Sequence, residues 1–211
     1  MTDPLALTEF VVRTTSEGAV ENEKYFGELD AVVGDGDFGF SLARGFEYVL
    51  AEWDTIDRAD AGTFLGRVAV MITGHIGGTS GPIWGTAFLR AGARLKGLDS
   101  ITGQDVVDAL RASVEGIMKR GKADLGDKTL LDALVPAIDA LEKSIQAQDA
   151  PADAARAFAT TARQAADATS VLEARRGRAS YSGERSIGSP DAGAVGLAVL
   201  AERVAEHWPA S

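Results

Sequence analysis

Apolar residues recur along this chain at spacings of three and four, the period of a helix face, and almost nowhere alternate as a half-buried strand would. Phe64, Leu65, Val68 and Ile72 make one such stripe; Val107, Leu110, Val114 and Ile117 make another; Leu131, Leu134, Ile138, Leu141 and Ile145 a third. Ala154, Phe158, Ala162, Ala165, Thr169 and Leu172 continue the pattern, as do Leu197, Leu200, Val204 and Trp208. The small residues among them predict close helix contacts. Breakers separate the stripes at residues 34–39, 57–60, 74–81, 97–102, 121–127, 148–151 and 175–190. The intervals hold helices of about 15 to 22 residues. Counting the segment before Asp30 as one helix, with a break allowed near Glu21, the chain contains eight. Short connections place sequential helices antiparallel, so the expected fold is all-α, an up-and-down bundle or closed barrel of eight amphipathic helices.

No repeat or linker divides the chain, and residues 1–211 are expected to form one domain. The alanine-rich run from Ala150 to Ala168 keeps a helical period, which argues against disorder there. In an up-and-down arrangement alternate loops emerge at the same end. The glycine-bearing loops near residues 36, 78, 124 and 183 are every second connection and should therefore meet.

Composition narrows the chemistry available at that end. There is no cysteine and the histidines are His75 and His207 alone, so thiolate and zinc-type sites are excluded and any metal must be bound by oxygen. A net charge of −10 disfavours nucleic acid and anionic membranes, and an anionic ligand needs a local cationic pocket. With neither a long apolar run nor a basic start, the protein is expected to be soluble, cytoplasmic and not exported.

Four motifs fall on those four loops. In Leu29-Asp30-Ala31-Val32-Val33-Gly34-Asp35-Gly36-Asp37-Phe38-Gly39, three carboxylates stand at a density that a bound cation would relieve. Asp35 and Asp37 leave an extended loop on one side, and Asp30 reaches them from the preceding helix. The glycines permit positive φ and close approach of a ligand. An EF-hand is excluded, because Phe40 and Phe46 occupy the positions that should hold glycine and glutamate. A solvated turn is the plain alternative.

Gly77-Gly78-Thr79-Ser80-Gly81-Pro82 precedes an apolar helix, where amides and the helix dipole favour phosphate oxygens, although a simple capped turn has the same composition. Ser80 is no hydrolase nucleophile, lacking both the G-x-S-x-G context and the strand. In Arg120-Gly121-Lys122-Ala123-Asp124-Leu125-Gly126-Asp127-Lys128-Thr129, Ala123 stands where a P-loop needs a hydroxyl, so that match is rejected. Gly126 to Thr129 reads as a helix cap with room for an anion, and Lys122 and Lys128 as surface charges. Ala174 to Ser186 is the one dense basic patch; Arg175 and Arg176 suit a helix C-terminus, whereas Arg178 and Arg185 lie beyond it in a glycine- and serine-rich loop. Asp191 and Gly193 open the last helix, with Asp191 as its cap. His75, Trp84 and Phe88 read as packing or capping residues.

These motifs, in this order, resemble the nucleotide-binding L subunit of dihydroxyacetone kinases from end to end: L-D-x4-D-x-D-x-G at Leu29 to Gly39, G-G-x-S-G-P at Gly77 to Pro82, R-G-K-A-x-x-G-D-K-T at Arg120 to Thr129 and A-R-x-G-R-A-S-Y-x-G-E-R-S at Ala174 to Ser186. The resemblance implies a closed barrel of eight antiparallel helices with ADP or ATP at one end. It implies that Asp30, Asp35 and Asp37 bind two Mg²⁺ ions bridging the phosphates, and that Gly78, Thr79, Ser80 and Ser41 hold phosphate oxygens. Phe38 and Gly39, beside them in the first motif, would also border the bound nucleotide. Gly121, Leu130, Arg178, Asp191 and Gly193 would surround the adenosine part and its lid. Phe38 stands where many members carry histidine, and Ala192 where many carry proline.

In that family the ketose is held by a separate K subunit, so the resemblance implies no catalytic nucleophile in this chain. Phosphate would pass from Mg-bound nucleotide to dihydroxyacetone or a related ketose such as erythrulose. Two versions stay open: exchangeable ATP as donor, or resident ADP rephosphorylated by a phosphotransferase-system M subunit. A nonenzymatic nucleotide sensor is the reading from another class, and retention of the aspartates and the arginine loop argues against it.

Overall fold

The computed structural model describes residues 3–209. Met1, Thr2, Ala210 and Ser211, which the expected 1–211 domain includes, lie outside the described residues. Nine α-helices are found among them: α1 Pro4–Glu21, α2 Glu23–Asp30, α3 Phe38–Ala51, α4 Ala61–His75, α5 Ser80–Leu95, α6 Gly103–Gly121, α7 Leu131–Gln146, α8 Pro151–Ala168 and α9 Ala192–Glu206. The number exceeds eight only because the first helix breaks at Asn22, one residue past the expected point. Asn22 has left the helical region, and its side-chain amide donates to the Gly18 carbonyl at 2.9 Å, so one turn is interrupted without a loop.

Each helix packs on its sequential neighbour. The exceptions lie at the broken start, where both α1 and α2 lie on α3, and at the end, where α9 returns to α1 and closes the ring. The closure is tight at Gly18, where a Cβ would stand 2.7 Å from the Arg203 side chain of α9. The predicted stripes face inward: Phe64, Val68 and Ile72 are inaccessible to solvent, as are Leu131 and Ile138. Phe26, Leu42, Phe46 and Phe64 anchor the bulkier part of the core, while Ala133, Ala137, Ala162, Ala166, Ala194 and Ala198 fill the α7–α8–α9 part. Alanine there lets three helix backbones approach closely, as the small residues of the stripes predicted. No described helix is long and apolar enough to cross a membrane.

Alternation of direction brings the loops 31–37, 76–79, 122–130 and 169–191 to one end, and three of them touch directly. The Ser182 hydroxyl donates to the Val33 carbonyl at 3.1 Å, and the Arg175 amide to the Asp127 carbonyl at 3.0 Å. Helix α8 stops at Ala168, so Arg175 and Arg176 are loop residues and do not decorate a helix C-terminus as expected.

Candidate functional site

The acidic loop is shaped by its glycines in three different ways. Gly36 takes φ +76°, a conformation that a side chain disfavours. At Gly34 a Cβ would lie 2.2 Å from Asp30 Oδ1, so the missing side chain is what lets the Asp30 carboxylate occupy its place. Gly39 differs from expectation: a Cβ there would meet the Glu23 carbonyl at 1.9 Å, so this glycine serves the α2–α3 contact and opens no space for a ligand.

Through this folding Asp30, Asp35 and Asp37 each offer a carboxylate oxygen within 4.8 Å of the others. Three like charges at such range repel, and the effect is visible in Asp37: partial burial and the neighbouring Asp35 raise its pKa above the usual carboxylate range, with Asp30 adding to this and Arg178 opposing it. An all-oxygen, trianionic donor set of this span fits a hard divalent cation such as Mg²⁺. Arg178 Nη1 lies 2.6 Å from Asp35 Oδ2, so the basic loop and the acidic loop meet at the metal-type cluster. The Phe38 amide donates to Asp30 Oδ2 at 3.4 Å, but the Phe38 ring turns into the core, 5.9 Å from Phe26 and against Gly196. The side chain at this position therefore faces the barrel interior.

Two helices begin beside the carboxylates, and neither start has a side-chain cap: α3 after Asp37, and α5 after Thr79. Apart from the Phe38 amide, which donates to Asp30, their first amides and positive dipole ends are thus unclaimed by the protein's own side chains. Ser41 Oγ stands 3.5 Å from where a Gly77 Cβ would be, so the hydroxyl two residues past the first motif adjoins the second. Gly78 takes φ +63° with nothing within 4 Å of a would-be Cβ, and Gly78 and Thr79 are exposed while Ser80 is half-buried. This is an open cradle with its amides free.

Leu130, Asp191 and Gly193 form a third group. A Cβ on Gly193 would be 3.1 Å from Asp191 Oδ2 and 3.6 Å from Leu130 Cβ, placing all three at the adjoining starts of α7 and α9. Asp191 caps α9 through the Ala194 amide at 2.8 Å. Burial pushes its carboxyl up to about 7; the Ala194 bond and Lys128 pull it down, and Asp132 and Asp30 push it up. Gly121 stands at the end of α6, against Ile83 of α5.

The loop Gly126 to Thr129 departs from expectation. Its amides are already taken: Gly126 N donates to Asp132 Oδ1 at 2.5 Å and Thr129 N to Asp132 Oδ2 at 2.8 Å, so no anion site remains there. Nor is Lys128 a surface charge, being 2% exposed. Asp127, equally unforeseen, accepts from Arg176 Nε at 2.8 Å. The residue types in Gly126-Asp127-Lys128-Thr129 were visible, but nothing local in sequence signals burial of a lysine. His75 is exposed, stacked on Tyr48 at 3.5 Å and bonded to the Met71 carbonyl, which is a capping role outside the core. Trp84 and Phe88 pack edge-on against Phe46, as expected.

The DAK2 domain matches residues 32–206. The chain belongs to the DAK2-domain family. Its similarity extends to L-erythrulose 1-kinase of Mycolicibacterium smegmatis, 39% identical over 203 residues, which cover 93% of this chain and 34% of the relative. The ADP-binding subunit DhaL of the PEP-dependent dihydroxyacetone kinase of Escherichia coli is 36% identical, with 86% of this chain and 87% of that subunit covered. Among solved structures, the dihydroxyacetone kinase of C. freundii in complex with AMP-PNP and Mg²⁺ superposes with a TM-score of 0.76 at 26% identity, over 95% of this chain and 34% of that one. This DAK2 chain thus spans most of the DhaL subunit and about a third of the length of the erythrulose kinase. The all-helical fold predicted for it matches the superposed third of the C. freundii kinase.

Proposed function

We propose that this DAK2-family chain is the nucleotide-binding subunit of a ketose kinase, transferring phosphate from Mg-bound nucleotide to dihydroxyacetone or erythrulose held by a separate K subunit. The observation that carries the reading is the juxtaposition of three carboxylates with two uncapped helix starts: one binds cations, the other phosphates, and a Mg-nucleotide needs both. Asp30, Asp35 and Asp37 would hold two Mg²⁺ ions, which neutralise phosphate charge during transfer. Ser41, Gly78, Thr79 and Ser80, with the backbone of Phe38 and Gly39, would receive phosphate oxygens. Gly121, Leu130, Asp191 and Gly193 would border the adenosine part, and Arg178 would donate from above. No residue of this chain is assigned as nucleophile.

The end that carries the site also leaves large apolar side chains in water: Val32, Leu125, Val171, Tyr181 and Ile187 on its loops are all at least 49% exposed. Such a rim suits a protein partner that brings the acceptor hydroxyl. In this reading residues 1–211 act as one domain in the cytoplasm, without nucleic acid or membrane partners. A second arrangement, in which ADP stays bound and is rephosphorylated by a phosphotransferase-system M subunit, is supported by the similarity to a PEP-dependent ADP-binding subunit.

Calorimetry of ADP binding with Mg²⁺ and with EDTA tests the site; binding that does not depend on Mg²⁺ overturns it. A coupled assay with purified K subunit, run with ATP or with phosphoenolpyruvate and phosphotransferase components, identifies the donor. The chain alone is expected to phosphorylate no ketose. Nucleotide binding without turnover in either coupled assay would mark a sensor.

A further inference from the structure

Among the described residues, Asp127 and Lys128 are the buried charged side chains, and Thr169 and Ser186 are buried polar residues of the same neighbourhood. Asp127, Lys128 and Ser186 belong to one network that ties the loop after α8 to the loop before α7. Lys128 takes φ +61°, uncommon for a residue with a side chain, and its ammonium donates to two carbonyls, Leu172 at 3.0 Å and Ser186. Asp127 holds the same loop from its other face, through its carbonyl to the Arg175 amide at 3.0 Å and its carboxylate to Arg176 Nε at 2.8 Å. Ser186 completes the ring by accepting from the Ala174 amide at 2.9 Å, and the Gly188 amide reaches the Ser170 carbonyl at 2.8 Å. Both ends of the 172–188 segment are thereby cinched together, while its tip touches the acidic loop through Arg178 and Ser182.

For stability alone this is a poor arrangement. An ammonium held away from water without a paired carboxylate is penalised, and burial does lower the Lys128 pKa, with Asp191 only partly opposing. An apolar side chain of equal length would fill the volume without that penalty. What the lysine does, and an apolar residue cannot, is fix two carbonyls 14 residues apart to one point.

We propose that Lys128, with Asp127, is a clamp that closes the base of the 172–188 loop and so sets the position of Arg178 over the acidic cluster. It is a positioning role, with neither residue touching nucleotide. The clamp concerns the loop itself, whereas its effect on ligand rests on the nucleotide reading above.

The test uses the full chain with two substitutions, Lys128→Met, which keeps the volume and removes the donors, and Arg176→Ala, which cuts the Asp127 side of the clamp at a half-exposed position. Hydrogen exchange without ligand should accelerate about tenfold or more at the Ala174, Arg175 and Gly188 amides, with the core helices unchanged, and Mg-ADP should dissociate about tenfold faster, the effect of losing one charge-assisted hydrogen bond. In an Arg178→Ala background the same substitutions should add nothing to the dissociation rate, because the clamp acts through Arg178; a merely structural effect would add in full. Unchanged exchange in both variants, or full additivity with Arg178→Ala, overturns the proposal. If Lys128→Met does not fold, Arg176→Ala decides. If the unaltered chain binds no Mg-ADP, the nucleotide reading fails and exchange alone decides the clamp.

Discussion

The two ends of this barrel are built from the same helices yet differ in how their helix starts are satisfied. At the end away from the site, three of the four helices that start there are capped by side chains. Asp3 caps α1, Asp60 caps α4 at Thr63 N, Thr102 and Asp105 form a reciprocal capping box on α6, and α8 opens with Pro151, which has no amide to satisfy. The connecting loops there are stitched locally too, as with Ser144 on Asp149 and Arg58 on the carbonyls of Trp53 and Ile56. At the site end Asp191 caps α9 and the Thr129 hydroxyl accepts from the Leu131 amide of α7, but α3 and α5 start with no side-chain cap, and the charges of the acidic loop are crowded together. The far end satisfies itself, whereas the starts of α3 and α5 and the acidic loop keep donors and acceptors for something else. Stability resides in the first and ligand chemistry in the second, since a helix start already capped has little left to offer an anion.

The largest effect should come from the crowded carboxylates. Asp35→Asn or Asp37→Asn is expected to weaken Mg-dependent ADP binding by about a hundredfold or more, the loss of a charged ligand from a cation site, with the helical circular dichroism unchanged. Unaltered affinity in both variants would refute the metal assignment and erase the contrast between the ends.

Asp191 offers a test by pH. Its folded pKa of about 7 lies above the unfolded value near 3.8, so the folded chain binds the extra proton; its stabilising effect is full below the unfolded value and is lost as pH rises through the folded one. Asp191→Asn, which keeps a capping oxygen, should therefore gain on the order of 2 kcal/mol relative to the unaltered chain between pH 4 and pH 8 in urea unfolding without ligand. Parallel pH profiles for the two proteins would show that Asp191 is not strained by its burial.

Removing a cap at the far end should act on stability and spare the ligand. Asp60→Ala is expected to lower unfolding free energy by about 1 kcal/mol at constant Mg-ADP affinity, while Thr79→Ala, at the uncapped start of α5, should leave ligand-free stability within about 0.5 kcal/mol. Equal destabilisation by both would mean that the two ends are capped alike. The smallest effect is assigned to His75: His75→Ala removes an exposed stacked ring and should leave nucleotide affinity unchanged in the same calorimetry.

The helices and their number were legible because helical periodicity and breaker residues are local properties, read within a few residues of each stripe. Even the interruption at Asn22 fell within one residue of its expected place. The carboxylate cluster was legible for the same reason, since Asp30, Asp35 and Asp37 lie within eight consecutive residues and need no distant chain to come together. The meeting of the four glycine loops followed from topology alone, because an up-and-down ring allows alternate connections only one common end.

The remaining properties depended on neighbours far along the chain. Gly39 looked like a ligand-facing glycine, but the Glu23 carbonyl of another helix decides its role. Phe38 sat in a ligand motif, yet Phe26 and Gly196 draw its ring into the core. Lys128 read as a surface charge until Ser186, 58 residues later, brought a carbonyl over it, and Asp132 closed the amides that had looked free for an anion. Sequence by itself determined the elements, their order and the donor types at one end, since these follow from spacing. Which side chains are buried, which amides stay free and where Arg178 stands were decided by tertiary structure, because each is set by contacts between segments that only the closed ring brings together.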